Sequence, residues 1–394
     1  MIVDILAWCL AAIPAVLLAV LIIELLLGTI VRSRGPSLPK MEAHRAAILM
    51  PAHNEAGGIA RTLARLLPSL DDKTQLLVIA DNCSDETAHI ARAAGATVIE
   101  RHDITQRGKG HALAFGREAL RDDPPDCVVV LDADCEIDRD DLRLLIETAV
   151  STRRPVQSCY LLRSRPGDGP MTQISNFAFL IKNLVRPRAA AWLGVPTMLG
   201  GTGMAFPWAL IADAPLATSH LVEDLVLGID FARKGQAPRF LEGAATWSDA
   251  ASQQDTLTQR TRWEHGYIDT AFKHGLPLVI EGITKARPAL CWHGLSLLVP
   301  PLALLMSLSL LAAGVTVVLA LLGATAAPAT VLAIQLALVA LLLTLAWLRD
   351  GREAVSAATL ARIPLYLAWK IPVYLRLAGK REKEWVRTKR EGED

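Results

Sequence analysis

Two carboxylates, Asp132 and Asp134, close an apolar run that begins at Cys127 and reads Cys127-Val-Val-Val-Leu-Asp-Ala-Asp-Cys135. A short apolar run of this kind reads as a strand buried on both faces, as in parallel sheets. Residues two apart on an extended chain point the same way, so the two carboxylates are expected to project together from the strand end. Open α/β sheets bind ligands at the carboxyl ends of their strands. Paired carboxylates there suit a hard divalent cation that substrate phosphates also hold. The same residues fit an acidic turn that leads into a helix over 138–150, and the motif alone leaves both readings open.

Other polar groups recur at comparable places. Pro51-Ala-His-Asn-Glu55 follows the first expected strand, Asp81-Asn-Cys-Ser-Asp85 follows the second, and Arg107-Gly-Lys-Gly-His111 opens the third helix. Asp81 can accept a hydrogen bond from a base or ribose. Lys109, at a Gly-flanked helix start, can meet phosphate together with backbone N–H groups. Taken singly, each has a structural reading: Asn54 and Ser84 as helix caps, Lys109 as a solvated side chain. Gly200-Gly-Thr-Gly203 suits either a close approach to a ligand or a tight turn. Val222-Glu-Asp-Leu225 places two acids at a helix start, where they complement the dipole or supply a general base. Gln259-Arg-Thr-Arg-Trp263 joins two guanidinium groups to an indole. That set can bind diphosphate and stack on a sugar, or form an amphipathic helix at a membrane surface.

The elements that must position these groups follow from the hydrophobic pattern. The chain has 394 residues, 52% of them hydrophobic, and a net charge of +1, so no global basic field points to nucleic acid. Apolar residues concentrate at the two ends. Residues 5–30 form a first span, long enough for a bilayer at about 20 residues. Its basic flank, Arg32, Arg34, Lys40 and Arg45, lies after the span, which fits an uncleaved helix with its C-terminal end in the cytoplasm. Glu24 inside it is expected to snorkel to that end. Residues 32–45 read as a linker. Strands over 46–50, 75–80 and 97–99 alternate with helices over 59–67, 86–94 and 108–120 and lead to the Cys127 strand, a pattern that implies a mostly parallel sheet. Residues 174–193 read as a core or membrane-surface helix. Second and third spans are expected over 295–322 and 331–348. Arg349, Arg352 and the basic tail (Lys380, Arg381, Lys383, Arg387, Lys389, Arg390) place the C-terminus in the cytoplasm, with 358–377 interfacial. The sequence thus divides into a span (1–31), a linker (32–45), a cytoplasmic α/β portion with interfacial helices (46–285), two spans (286–349) and an interfacial helix with a basic tail (350–394). The six cysteines lack paired metal-ligand spacing and read as reduced thiols.

Taken in order, Pro51-Ala-His-Asn-Glu55, Ala80-Asp-Asn82, Gly108-Lys-Gly110, Asp132-Ala-Asp134, Gly201-Thr-Gly203, Glu223-Asp224 and Gln259-x-x-Arg-Trp263 resemble the signature set of membrane-integrated family 2 glycosyltransferases. Cellulose, hyaluronan, chitin-oligosaccharide and poly-N-acetylglucosamine synthases share that set. The resemblance covers residues 46–267 and the flanking spans. It implies a GT-A fold: one nucleotide-binding α/β domain, here with about three transmembrane helices and interfacial helices. It implies Asp81 at the base, with Glu55, Ala52 and His53 near the nucleoside. Lys109 would lie at the diphosphate, Asp132 at the ribose or metal, and Asp134 on Mg²⁺ or Mn²⁺. Asp224 would be the catalytic base. Gln259, Arg262 and Trp263 would hold diphosphate and acceptor sugar, and Gly201, Thr202, Gly203 and Glu223 would border the acceptor. The implied activity is inverting transfer of a sugar from a nucleoside diphosphate, a UDP-sugar by analogy, to a growing glycan or a lipid-linked acceptor. The enzyme would be a multi-pass protein of the cell membrane with its catalytic domain in the cytoplasm, working alone, as a homo-oligomer or with an export partner. A non-catalytic scaffold built on the same domain is the reading of another class.

This chain departs from the family pattern in having Asp81-Asn82 where paired aspartates are commoner, and in its low span count. A dehalogenase-type phosphatase would carry its D-x-D on the first strand with Thr two residues later. A P-loop NTPase would follow Lys109 with Ser or Thr rather than Gly110.

Overall fold

The computed structural model describes residues 2–31, 44–164, 167–220, 222–249 and 253–379. They divide into two compact units. One holds the described residues of 32–166 and 196–266, the other those of 1–31, 167–195 and 267–382.

The first unit is an α/β sandwich on an eight-stranded sheet of order β3-β2-β1-β4-β7-β6-β8-β5. Its strands are β1 (Ala46–Ala52), β2 (Thr74–Asp81), β3 (Thr97–Arg101), β4 (Cys127–Val130), β5 (Cys135–Ile137), β6 (Val156–Arg163), β7 (Met204–Pro207) and β8 (Arg239–Asp249). β3, β2, β1 and β4 run parallel, linked by helices α2 (Ile59–Leu66), α3 (Thr87–Ala93) and α4 (Lys109–Ala119), and α5 (Arg139–Thr152) follows β5. β7 pairs antiparallel to both β4 and β6. Side chains alternate across a strand, so Ala47, Leu49, Leu77, Ile79, Val128 and Val130 share a face. With Leu113 of α4, Ile211 of the short α8 (Trp208–Ile211) and Leu227 and Phe231 of α9 (Glu223–Arg233) they form one core. The second face is also apolar: Ile48, Met50 and Val78 are fully buried. Burial on both faces is why β4 reads Cys-Val-Val-Val without a polar residue.

The expected strand through Cys135 ends earlier. The β4 ladder closes with Leu131 N–H on Leu49 O (3.1 Å), and Cys135 N–H then turns back onto Asp132 O (2.9 Å). Asp132 and Asp134 therefore lie on a tight turn, not on extended backbone.

The second unit is helical. It opens with α1 (Ile2–Ile30), and α6 (Pro170–Leu180) runs into α7 (Arg186–Leu193) through a π turn over Ile181–Val185, so the expected helix over 174–193 is present as one continuous helical run with a π turn inside it. α10 (Gln253–Thr284) begins in the α/β unit and ends here. α11 (Pro288–Leu298) and α12 (Leu302–Leu321) divide the expected second span at Pro300-Pro301, since proline cannot continue a helix. α13 (Ala327–Ala346), the short α14 (Ala357–Leu360) and α15 (Ile363–Gly379) complete it. Among the described residues three helices are long and apolar enough to cross a membrane: Ile2–Ile30, Leu302–Leu321 and Ala327–Gly351. Ile13, Leu311, Val318 and Ile334 are exposed on them, as expected of lipid-facing positions.

Glu24 does not snorkel. It is 2% exposed, and Arg186 Nε donates to its carboxylate at 2.6 Å. Arg186 Nη2 also donates to Ser296 O at 2.9 Å. Nearby, Arg188 makes a two-pronged pair with Asp350 and donates to Gly28 O at 2.8 Å. A buried charge is tolerated when it is paired and its remaining donors are satisfied, and both arginines meet that condition.

Candidate functional site

The carboxyl ends of β3, β2, β1 and β4 deliver a row of polar groups. The register pairs Ala52 with Ala80 and Asp81 with Arg101, so His53, Asp81 and Arg101 emerge at one level. His53 Nδ1 lies 2.7 Å from Asp81 O. Arg101 Nη1 donates to Asp81 Oδ1 at 2.7 Å, and Asn82 Nδ2 donates to the same oxygen at 3.0 Å. Both donors use Oδ1, and among the described residues none is found on Oδ2. Arg101 had no signal in the sequence beyond its place at a strand end.

Asn54 and Ser84 are not helix caps. Asn54 Oδ1 accepts from Ser84 N–H at 2.7 Å, and Glu55 N–H donates to Thr87 Oγ1 at 2.7 Å. These bonds tie the loop after β1 to the loop after β2, and thereby fix the Pro51–Glu55 motif beside Asp81.

The second group gathers where β4 ends. β7 pairs antiparallel to β4, Met204 opposite Val130, so the loop 200–203 enters β7 where Asp132 leaves β4. Asp132 N–H donates to Thr202 Oγ1 at 3.0 Å. Lys109, the first residue of α4, forms an ion pair with Asp132 and donates to Gly201 O at 2.6 Å. Burial opposes the charge on Lys109, but Asp132 and then Glu223 outweigh it and hold the ammonium above its usual range. Burial pushes the Asp132 carboxyl up, with Lys109 opposing and Asp134 adding to the rise. Glycine at 110 is required sterically: a Cβ there would lie 2.7 Å from Thr218 O and closer still to Leu216 O. At Gly203, where φ is +62°, a Cβ would overlap Ser158 Oγ and Thr246 Oγ1.

Glu223 and Asp224 open α9. A Cβ on Gly201 would be 3.3 Å from Asp224 Oδ2 and 3.5 Å from Lys109 Nζ, so Asp224 faces the loop that Lys109 holds. Burial, then the neighbouring charge of Asp224, pushes the Glu223 carboxyl up to about 7. A half-buried pair of neighbouring acids avoids carrying two charges in this way.

Asp132, Asp134 and Cys135 each bring a ligand atom within 4.8 Å of the others. The carboxylate oxygens suit a hard divalent cation, so the donor set fits Mg²⁺ or Mn²⁺. The Cys135 thiol is held well above its usual range by burial and then by Asp134 and Asp132, so it does not compete as a thiolate. Of the Gln259-x-x-Arg-Trp263 motif, the backbone lies in α10; the side chains of Gln259 and Arg262 lie outside the described residues, and Trp263 is half-buried.

Comparison with known proteins gives the family. The model of glycosyl transferase family 2 matches residues 47–201, and that of glycosyl transferase family group 2 matches residues 127–348, more than half of the chain. The chain belongs to the family 2 glycosyltransferases. It is 34% identical over 102 residues to a low-salt glycan biosynthesis hexosyltransferase of Haloferax volcanii, covering 25% of this chain and 23% of that protein. It is 24% identical over 244 residues to the poly-beta-1,6-N-acetyl-D-glucosamine synthase of Staphylococcus aureus, covering 59% of this chain and 57% of the synthase. The match thus spans less than two thirds of either relative. In fold it is similar to a mannosyltransferase from Pyrobaculum calidifontis solved with GDP-Man and Mn²⁺ (TM-score 0.57, 19% identity, 96% of this chain and 100% of that one).

Proposed function

We propose that the protein is an inverting, divalent-cation-dependent glycosyltransferase that moves a sugar from a nucleoside diphosphate, a UDP-sugar in this reading, to a hydroxyl of a growing cell-surface or exopolysaccharide glycan. The observation that carries it is the convergence of Asp132, Asp134, Lys109, the 200–203 loop and Asp224 at the end of β4.

Each group has a role in the reading. Asp81 Oδ2 accepts from the base, with Ala52, His53 and Glu55 beside the nucleoside. Asp134 and Asp132 hold Mg²⁺ or Mn²⁺, which supplies charge neutralisation at the diphosphate. Lys109 adds a fixed positive charge at the same place, where charge develops as the glycosidic bond to phosphate breaks. Asp224 removes the proton from the acceptor hydroxyl as that oxygen attacks the anomeric carbon. One displacement inverts the anomeric centre. Gly201, Thr202, Gly203 and Glu223 border the acceptor. Gln259, Arg262 and Trp263 hold diphosphate and acceptor sugar and keep water from the donor.

The three apolar helices support a membrane enzyme. The basic residues that follow the first and third of them, Arg32 and Arg34, then Arg352, support a cytoplasmic catalytic unit. Three spans also favour a second reading, transfer of a single sugar to a lipid-linked acceptor, because a pore within one chain needs more helices.

The test is release of nucleoside diphosphate by the full chain in detergent, with Mn²⁺ or Mg²⁺ and a panel of nucleotide sugars. Turnover by the wild type and its loss in Asp134→Ala and Asp224→Ala are expected. Equal release by all three proteins would reject the reading, and product length separates a polymer from a single transfer.

A further inference from the structure

The 200–203 loop is held by one side chain that no motif singles out. Gln157 lies on β6, opposite Met204 of β7, and is 5% exposed. Its Oε1 accepts from Gly200 N–H at 2.8 Å. Its Nε2 donates to Thr202 O at 2.9 Å and Ser158 O at 3.0 Å, with Gly203 O at 3.4 Å. The amide therefore supplies an acceptor at the start of the loop and donors at its end. The loop passes this constraint to the site in two places: Gly201 O takes the Lys109 ammonium, and Thr202 Oγ1 takes the Asp132 N–H.

We propose that Gln157 is a positioning residue that sets the D-x-D turn and Lys109 for a divalent cation and the diphosphate it accompanies. The inference rests on the transferase reading for the diphosphate, and on the Asp132–Asp134 donor set alone for the cation. The amide is specifically required. A carboxylate of the same shape would turn an oxygen, without a proton, towards three carbonyl oxygens. A methionine would fill the space but leave Gly200 N–H and Thr202 O buried without a partner. In either case the loop moves, Asp132 loses the hydroxyl that fixes its backbone, and Lys109 loses its second acceptor. Residues that orient a metal's ligands typically change affinity by about ten- to a hundredfold.

The experiment uses the full chain in detergent and reads Mn²⁺ affinity by the paramagnetic resonance of free Mn²⁺, a measurement independent of turnover. Gln157→Glu and Gln157→Met are each expected to weaken Mn²⁺ binding about tenfold or more per folded molecule, and to raise both the Mn²⁺ needed for half-maximal rate and the donor KM. Thr202→Val, which removes the hydroxyl that accepts from the Asp132 N–H and also meets the Cys135 thiol, is expected to weaken Mn²⁺ in the same direction and stands in where a Gln157 variant does not fold. A purely structural role would lower the yield of folded protein and leave Mn²⁺ affinity and KM per folded molecule at wild-type values; that result overturns the proposal. If the wild type binds Mn²⁺ but turns over no donor, the transferase reading fails while the Mn²⁺ titrations still decide the role of Gln157.

Discussion

Lys109 and Asp132 form an ion pair between the first residue of α4 and the turn that follows β4. The lysine is held from its other side by Gly201 O, so its ammonium is fixed between two loops rather than extended into solvent. That geometry pre-places a positive charge beside the D-x-D turn, and a pre-placed charge costs no reorganisation when negative charge develops. Lys109→Met is expected to lower the rate of nucleoside diphosphate release by about a hundredfold, the scale for loss of one transition-state donor. Steady-state rates per folded molecule check it; a loss confined to a few-fold would place Lys109 outside the reaction.

The Glu223 carboxyl gives a pH signature. Burial first, and then the charge of Asp224, pushes its folded-state pKa up to about 7 from the ordinary 4.5. Between those values the native state binds more protons than the unfolded chain, so stability falls as pH rises through that window and levels off above it. Glu223→Gln carries no ionisable proton there. The variant is expected to show a flatter dependence of melting temperature between about pH 4.5 and pH 7, with the gain over wild type greatest above the window. Melting curves across pH 5 to 8 in one buffer series decide it, and parallel curves for the two proteins would reject the assignment.

Arg101 holds Asp81 Oδ1 at 2.7 Å in a largely buried pair. If Asp81 Oδ2 receives the base of the donor, Arg101 acts on binding in the ground state and the transition state alike. Loss of such an interaction raises KM and leaves kcat in place. Arg101→Met is therefore expected to raise the donor KM about tenfold with kcat within about twofold of wild type. A fall in kcat at unchanged KM would instead tie Arg101 to the chemical step.

The parallel half of the sheet was legible because β1, β2 and β4 are short apolar runs and β1, β2 and β3 are each followed by a helix. The expected strands at 46–50 and 75–80 lie inside Ala46–Ala52 and Thr74–Asp81. The mixed half, in which β6 and β8 pair parallel while β7 and β5 run antiparallel to their neighbours, was not, because β7 is four residues long and its place is set by pairing with β4 and β6 rather than by its own pattern. The D-x-D carboxylates were expected on extended backbone, and they lie on a turn instead. They come together through a local turn closed by Cys135 N–H on Asp132 O. Gln157 and Arg101 left no trace in the sequence, since a lone Gln or Arg at a strand position is common, and only the register shows what it faces. Glu24 was misread for the same reason: its partner Arg186 is 162 residues away.

That Glu24–Arg186 pair makes the last prediction. Side-chain exposure is 2% for Glu24 and 14% for Arg186, so neither charge has water to fall back on. Removing one partner of a buried pair costs about 3–5 kcal/mol, mostly because the other charge is left uncompensated, whereas replacing both by groups of similar shape is often nearly neutral. Arg186 also donates to Ser296 O, so a residual loss is expected even in the double variant. Glu24→Gln and Arg186→Met are each expected to lower the unfolding midpoint in detergent more than the double variant Glu24→Gln/Arg186→Met does. The pair would then bind α1 to α7 through mutual compensation. Additive losses would mean that each side chain acts through other partners, and the ion pair would carry no coupling of its own.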